Sequence, residues 1–342
     1  MADPTRFSEA LGHDVRSDAW AEQGRSSYVL ALDAFIEGRA DDAASLARMT
    51  VQEAQEAFDL YALWLGELPS LLAAHGVPEH ALAPKRLDCR RVKDDLESGW
   101  VRYVDLITRF ADLAATVDPE APAVLALARS TWLAAHDPAT DQLADLFAVA
   151  AEELGEASVG PLWDTLLRRY YETIAEKYHP TIRSWDKSVE RLGLDIFEAV
   201  RGHLTGPDRD GRFEIREEAD RWVLEFAPCG SGGRTYPDSA SADGDPRGFT
   251  TEEHDWAWRT TGVCLYCVHC CQLQQRAPIE RLGFPLRVIS PPVRPSEDDP
   301  GREVCTWSIY KDRSLIPAHA YSDVGATPPE AAWDLTDEDK RR

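Results

Sequence analysis

From Ser17 to about Leu204, apolar residues return every three or four positions: Val29, Leu32, Phe35 and Ile36, then Leu46, Met49, Ala54, Phe58 and Tyr61. That period places them on one face of successive helices. Breakers punctuate the pattern at Pro69, Gly76 with Pro78, Pro84, Pro119 with Pro122, Pro138, Gly160-Pro161 and Pro180. Read as helix ends, they predict roughly seven or eight helices. The segment Gly38-Arg39-Ala40-Asp41-Asp42-Ala43 resembles the start of a helical-hairpin repeat. No second copy follows at about 34 residues, so a compact helical bundle is expected.

Past Leu204 the period changes. Gly206-Pro207-Asp208-Arg209-Asp210-Gly211 reads as a turn-rich linker, and Phe213-Glu214-Ile215 and Trp222 to Phe226 then alternate as half-buried strands do. Leu286 to Ile289 and Thr306 to Tyr310 are two further strands, joined by a Pro- and Asp-rich loop, and a short helix around Ala318 to Val324 closes the chain's fold. The expectation is an α+β protein: an all-helical bundle over residues 1–205, then a small antiparallel β domain over 206–342 with a Cys/His metal site. Two long loops belong to that domain, one of them Cys229 to Phe249, and the tail from Thr336 to Arg342 is expected to fray.

Composition narrows the function. A chain of 342 residues exceeds the size at which one core is comfortable, which fits two domains. No stretch approaches the run of about 18 apolar residues that a membrane span needs. The start Met1-Ala2-Asp3-Pro4-Thr5-Arg6 lacks the basic and apolar segments of a signal peptide, so a cytoplasmic protein is expected. The net charge of −23 repels phosphate, which disfavours nucleic acid and an anionic membrane surface as partners. Arg in excess of Lys, with abundant Ala, suggests a GC-rich bacterial source.

In a reducing compartment clustered thiols point to metal binding or catalysis rather than disulfides. Six of the seven cysteines lie beyond residue 228, at Cys229, Cys264, Cys267, Cys270, Cys271 and Cys305, with His254 and His269 among them. Cys89 stands apart and reads as a half-buried helical thiol. The run Cys264-Leu265-Tyr266-Cys267-Val268-His269-Cys270-Cys271 holds two overlapping C-x-x-C pairs, the spacing that lets two thiolates from one turn reach a single ion. Cys229 and His254 are the natural donors from elsewhere. The expected ligand set is Cys229, His254, Cys267 and Cys270, with His269, Cys264 and Cys271 as substitutes and Cys305 also within the candidate pool. Zinc is the expected ion. An iron–sulfur cluster is the alternative, because Cys264, Cys267 and Cys270 have the ferredoxin start, although Gln274 and Gln275 occupy the place of the fourth ligand and its proline.

Beside Cys229 runs Gly230-Ser231-Gly232-Gly233-Arg234. Three glycines let backbone N–H groups converge into a nest, and Arg234 offers a fork for a carboxylate or phosphate. Gly230, Ser231, Gly232 and Gly233 are therefore candidate binding residues, with Arg234 as substrate anchor and His269 as acid–base group. Cys229 as a nucleophile served by His254 or His269 is an alternative. On the helix Leu162 to His179, the stripe Trp163, Leu167, Tyr170, Ile174 and Tyr178 reads as core, and Glu176-x-x-His179 lacks the second copy that a di-iron bundle requires. The function expected from these residues is a metal-dependent hydrolase or lyase acting on a small acidic molecule. The alternative is a protein-interaction module with a structural zinc, and a protein partner or homo-oligomer is compatible with either.

Overall fold

The computed structural model describes residues 3–235, 248–295 and 300–329. Much of the expected loop from Cys229 to Phe249, part of the Pro- and Asp-rich loop and the tail from Thr336 lie outside the described residues. An antiparallel hairpin opens the chain, β1 (Thr5–Ser8) and β2 (His13–Arg16), with Thr5 opposite Arg16. The helical region follows as α1 (Ser27–Ile36), α2 (Ala40–Ala74), α3 (Glu79–Ala115), α4 (Ala121–Leu154), α5 (Val159–Tyr178) and α6 (Trp185–Gly202). Ser26 caps α1, its hydroxyl accepting from the Val29 N–H at 3.3 Å.

Three of the expected breaks do not occur. Pro69 lies inside α2, Pro84 inside α3 and Pro138 inside α4. A proline removes one helical hydrogen bond, at a cost of about 3 kcal/mol or more in an isolated helix. Here packing outweighs that loss. Helices α2, α3 and α4 pack along one another, and Trp64, Trp132, Tyr61, Tyr103, Phe110 and Phe147 are fully buried among them. Phe58 stacks on Trp100 at 4.6 Å and Tyr103 on Trp132 at 5.8 Å, joining the three helices through aromatic faces.

The expected strands form one antiparallel sheet in the order β3-β4-β6-β5, comprising β3 (Glu214–Glu217), β4 (Arg221–Phe226), β5 (Val288–Ser290) and β6 (Cys305–Tyr310). The long edge of β4 pairs with β6, from Arg221 opposite Tyr310 to Phe226 opposite Cys305. Between β4 and β5 the described residues include two short α-helices, α7 (Val268–Cys271) and α8 (Ala277–Leu282), joined by a π-helical stretch, Gln272–Arg276. The short helix α9 (His319–Ser322) closes the described chain. Among the described residues no helix is long and apolar enough to cross a membrane.

The helical region and the sheet share one hydrophobic core. The segment expected as a linker is part of that junction: Asp210 is 2% exposed, the Gly211 N–H donates to the Thr205 carbonyl, and the Ser26 hydroxyl donates to the Asp210 carbonyl at 2.6 Å. Gly202, the last residue of α6, lies so close to α2 that an added Cβ would meet the Glu53 carbonyl oxygen at 2.0 Å. Backbone cannot swing aside as a side chain can. Gly202→Ala is therefore expected to destabilise the protein by about 1–3 kcal/mol, read from the urea midpoint.

Candidate functional site

Strand β4 ends at Phe226, and a cis Ala227-Pro228 bond follows it into Cys229. The glycine-rich loop then wedges between the end of α6 and the cysteine run. An added Cβ would stand 1.9 Å from the His203 carbonyl oxygen at Gly230, 2.4 Å from the Cys267 sulfur at Gly232 and 2.8 Å from the Cys229 Cβ at Gly233. The glycines are needed here for close approach, a packing reason distinct from the expected anion nest. Residues Gly232–Thr235 form a single 3₁₀ turn.

The thiols gather around that loop. A hydrogen bond with Cys264, then burial, then the nearby Cys264, Cys270 and Cys229 raise the Cys267 thiol well above its usual range. Burial, followed by Cys305, Cys229 and Cys271, does the same to Cys270, and burial with Cys229 raises Cys305. The sulfurs of Cys229, Cys264, Cys267, Cys270 and Cys305 thus share one neighbourhood, in which burial and nearby thiols keep Cys267, Cys270 and Cys305 protonated. Cys271 faces away, its sulfur 3.7 Å from the Asp255 carbonyl oxygen. Cys89 is buried in α3, in keeping with a structural thiol.

His269 sits against the same group. Its ring is boxed by Trp64 at 5.8 Å, Trp163 at 5.3 Å and Tyr266 at 4.8 Å. Nδ1 lies 2.6 Å from the Tyr266 carbonyl oxygen, which only accepts, so Nδ1 carries the proton. Burial lowers its pKa to about 4, so the ring is neutral and Nε2 is a bare lone pair 3.3 Å from the Cys270 sulfur. The Cys270 thiol therefore donates to Nε2. His254 is engaged elsewhere: its Nε2 is 3.0 Å from Glu156 Oε1, and its ring stacks on Trp256 at 4.2 Å.

Arg234 is matched by carboxylates of the chain itself. It pairs with Asp141, donates to the Asp137 carbonyl at 3.1 Å and lies 3.5 Å from the Asp137 carboxylate. The guanidinium expected to anchor an acidic substrate thus holds the glycine-rich loop to α4.

Behind these residues lies a buried polar chain that sequence reasoning missed. His136 Nδ1 is 2.8 Å from Asp137 Oδ1, and His136 Nε2 is 2.9 Å from His203 Nδ1. The Tyr61 hydroxyl stands 3.2 Å from His203 Nδ1 and accepts from Tyr266 and Thr140, each at 3.0 Å. Arg209 grips Asp137 with two bonds, of 3.0 and 2.9 Å, and also donates to the Gly230 carbonyl at 3.0 Å. Burial opposes ionisation of Asp137, yet the hydrogen bonds from His136 and Arg209 hold its carboxyl well below the usual range. Burial likewise keeps both imidazoles below theirs. No motif announces this chain, because His136 and His203 come from α4 and the end of α6. The adjacent His136-Asp137 pair was the one available signal.

Among the described residues, no three His, Cys, Asp or Glu side chains stand together tightly enough to hold a metal ion where they are placed. Comparison with protein-family models, characterised proteins and solved structures finds no match to this chain.

Proposed function

We propose that this chain is a metal-dependent enzyme of the hydrolase or lyase type, with Cys229, Cys270 and His269 as the protein donors and zinc as the ion. The observation that supports this most strongly is the His269–Cys270 pair. A metal-binding imidazole characteristically donates its other N–H to a carbonyl or carboxylate, which fixes its tautomer. His269 is held in that way by Tyr266, with Nε2 turned to a thiol that a metal would deprotonate. Two thiolates and one imidazole are donors suited to zinc, and three protein ligands leave a fourth position open, as a catalytic site requires. Zinc so held supplies Lewis acidity toward a carbonyl. Ligation requires the thiols to rotate from their present positions toward a common point.

Cys267 is left out because it is hydrogen-bonded with Cys264, and His254 because Glu156 engages its Nε2. Adding Cys267 would close the site and favour the interaction-module reading with a structural metal. Arg234 takes no part in substrate binding in this reading, since Asp141 and Asp137 already match its charge.

The test is elemental analysis of full-length protein purified without chelator. About one zinc per chain is expected by the three-donor logic, falling steeply in Cys270→Ser and His269→Ala and unchanged in His254→Ala. Equal metal content in all four proteins would remove the reading. A brown protein with stoichiometric iron would replace it with the iron–sulfur alternative.

A further inference from the structure

The buried polar chain beside the thiols contains its own internal logic of protons. Arg209 holds the Asp137 carboxylate ionised, and a carboxylate only accepts, so His136 Nδ1 must carry a hydrogen. A neutral His136 then has a bare Nε2. His203 Nδ1, 2.9 Å away, must donate to it. The Tyr61 hydroxyl accepts from both Tyr266 and Thr140, so its own hydrogen also turns toward His136 Nε2, at 3.4 Å. Every donor of this relay then has an acceptor, and among the described residues the one ring nitrogen of the two histidines left over is His203 Nε2.

We propose that Asp137, His136 and His203 form a buried relay that fixes His203 in the tautomer with a bare Nε2, making His203 the acid–base group of the thiol centre and His136 and Asp137 its positioning residues. Placement supports this. His136 is fully buried with both ring nitrogens engaged, while His203 is half-buried. The His203 carbonyl abuts Gly230, next to Cys229, and the Tyr61 hydroxyl, 3.2 Å from His203 Nδ1, accepts from Tyr266 of the cysteine run at 3.0 Å. Trp132 pins the preceding turn, its indole N–H donating to the Gly202 carbonyl at 2.8 Å. A carboxylate that orients an imidazole, which in turn presents a basic nitrogen, is how general bases are held in acyl-transfer and metal-assisted hydrolysis. This chain adds a second imidazole between the two ends.

As a catalytic device the relay rests on the enzyme reading above, whereas its pattern of protons does not, and the experiment separates the two. Long-range proton–nitrogen NMR on the full chain labelled with nitrogen-15 histidine reports which ring nitrogen of each histidine is protonated, with His136→Gln and His203→Gln supplying assignments. In the wild type both His136 and His203 are expected to be protonated at Nδ1 and bare at Nε2. In Asp137→Asn the side-chain amide donates to His136 Nδ1, so both rings should move their hydrogen to Nε2, as in the comparable triad substitution. A wild-type His203 protonated at Nε2, or a doubly protonated His136, overturns the relay without recourse to any variant. A His203 pattern that ignores Asp137→Asn while His136 switches overturns it as well. Zinc content measured on the same samples reports on the metal reading alone: correct tautomers without metal leave the relay standing, and metal with the wrong tautomers leaves the metal centre standing without it.

Discussion

Glu53→Gln is expected to destabilise the protein by about 3–5 kcal/mol, because it leaves the buried Arg201 guanidinium without its counter-charge. Glu53 is 2% exposed on α2 and Arg201 3% exposed on α6. Arg201 Nε donates to Glu53 Oε1 at 2.6 Å, and the Ser27 hydroxyl donates to the same oxygen at 2.7 Å. Arg16, whose side chain is also fully buried, adds a second positive charge nearby. Burial pushes the Glu53 carboxyl upward and outweighs the pull of both guanidiniums. The glutamine keeps the shape and loses the charge. Urea unfolding of the two proteins checks the value, and a difference below about 1 kcal/mol would show that the pair is solvated as surface pairs are.

The second large effect is expected from Trp163→Ala, at about 3–5 kcal/mol. Trp163 is fully buried on α5, stacked on Phe147 at 4.1 Å and edge-on to Trp64 at 5.1 Å. Its indole N–H donates to the Leu265 carbonyl at 2.9 Å, which ties the cysteine run to the helices. Trp163→Phe keeps most of the packing and loses that bond, so a smaller loss of about 1–3 kcal/mol is expected. Hydrogen exchange locates the damage. Both variants should speed exchange across residues 264–271, and protection there equal to wild type would contradict the role given to the indole.

Local signals were legible in the sequence and distant ones were not. The alternation of Trp222 to Phe226 and of Thr306 to Tyr310 specified strands that pair as β4 and β6, since a period of two reports directly on a half-buried ladder. The stripe on α5 likewise specified a buried face, with Trp163, Leu167, Ile174 and Tyr178 all in the core. Pro69, Pro84 and Pro138 misled because helix propensity is local and the packing that overrides it is not. The hairpin of β1 and β2 was missed because its strands are four residues each and too polar to alternate clearly.

At the site, the C-x-x-C spacing was informative because one turn brings those sulfurs together. Assigning individual partners was harder. The sequence ranked His254 as a ligand ahead of His269, and only the fold distinguishes an imidazole held by Glu156 from one held by a carbonyl and facing a thiol. Arg234 read as a substrate anchor because its partners Asp137 and Asp141 are nearly a hundred residues earlier in the chain. The relay of Asp137, His136 and His203 had no signature beyond the adjacent His136-Asp137 pair, since His203 joins it only where α4 passes the end of α6.

The central claim, that Cys229, Cys270 and His269 bind a metal, is tested most directly by X-ray absorption at the metal edge of the full-length protein. The account predicts a mixed first shell, with sulfur at about 2.3 Å and nitrogen at about 2.0–2.1 Å, the sulfur contribution falling in Cys270→Ser. A shell of oxygen and nitrogen alone, or a protein that holds no stoichiometric metal after growth in zinc, would contradict it.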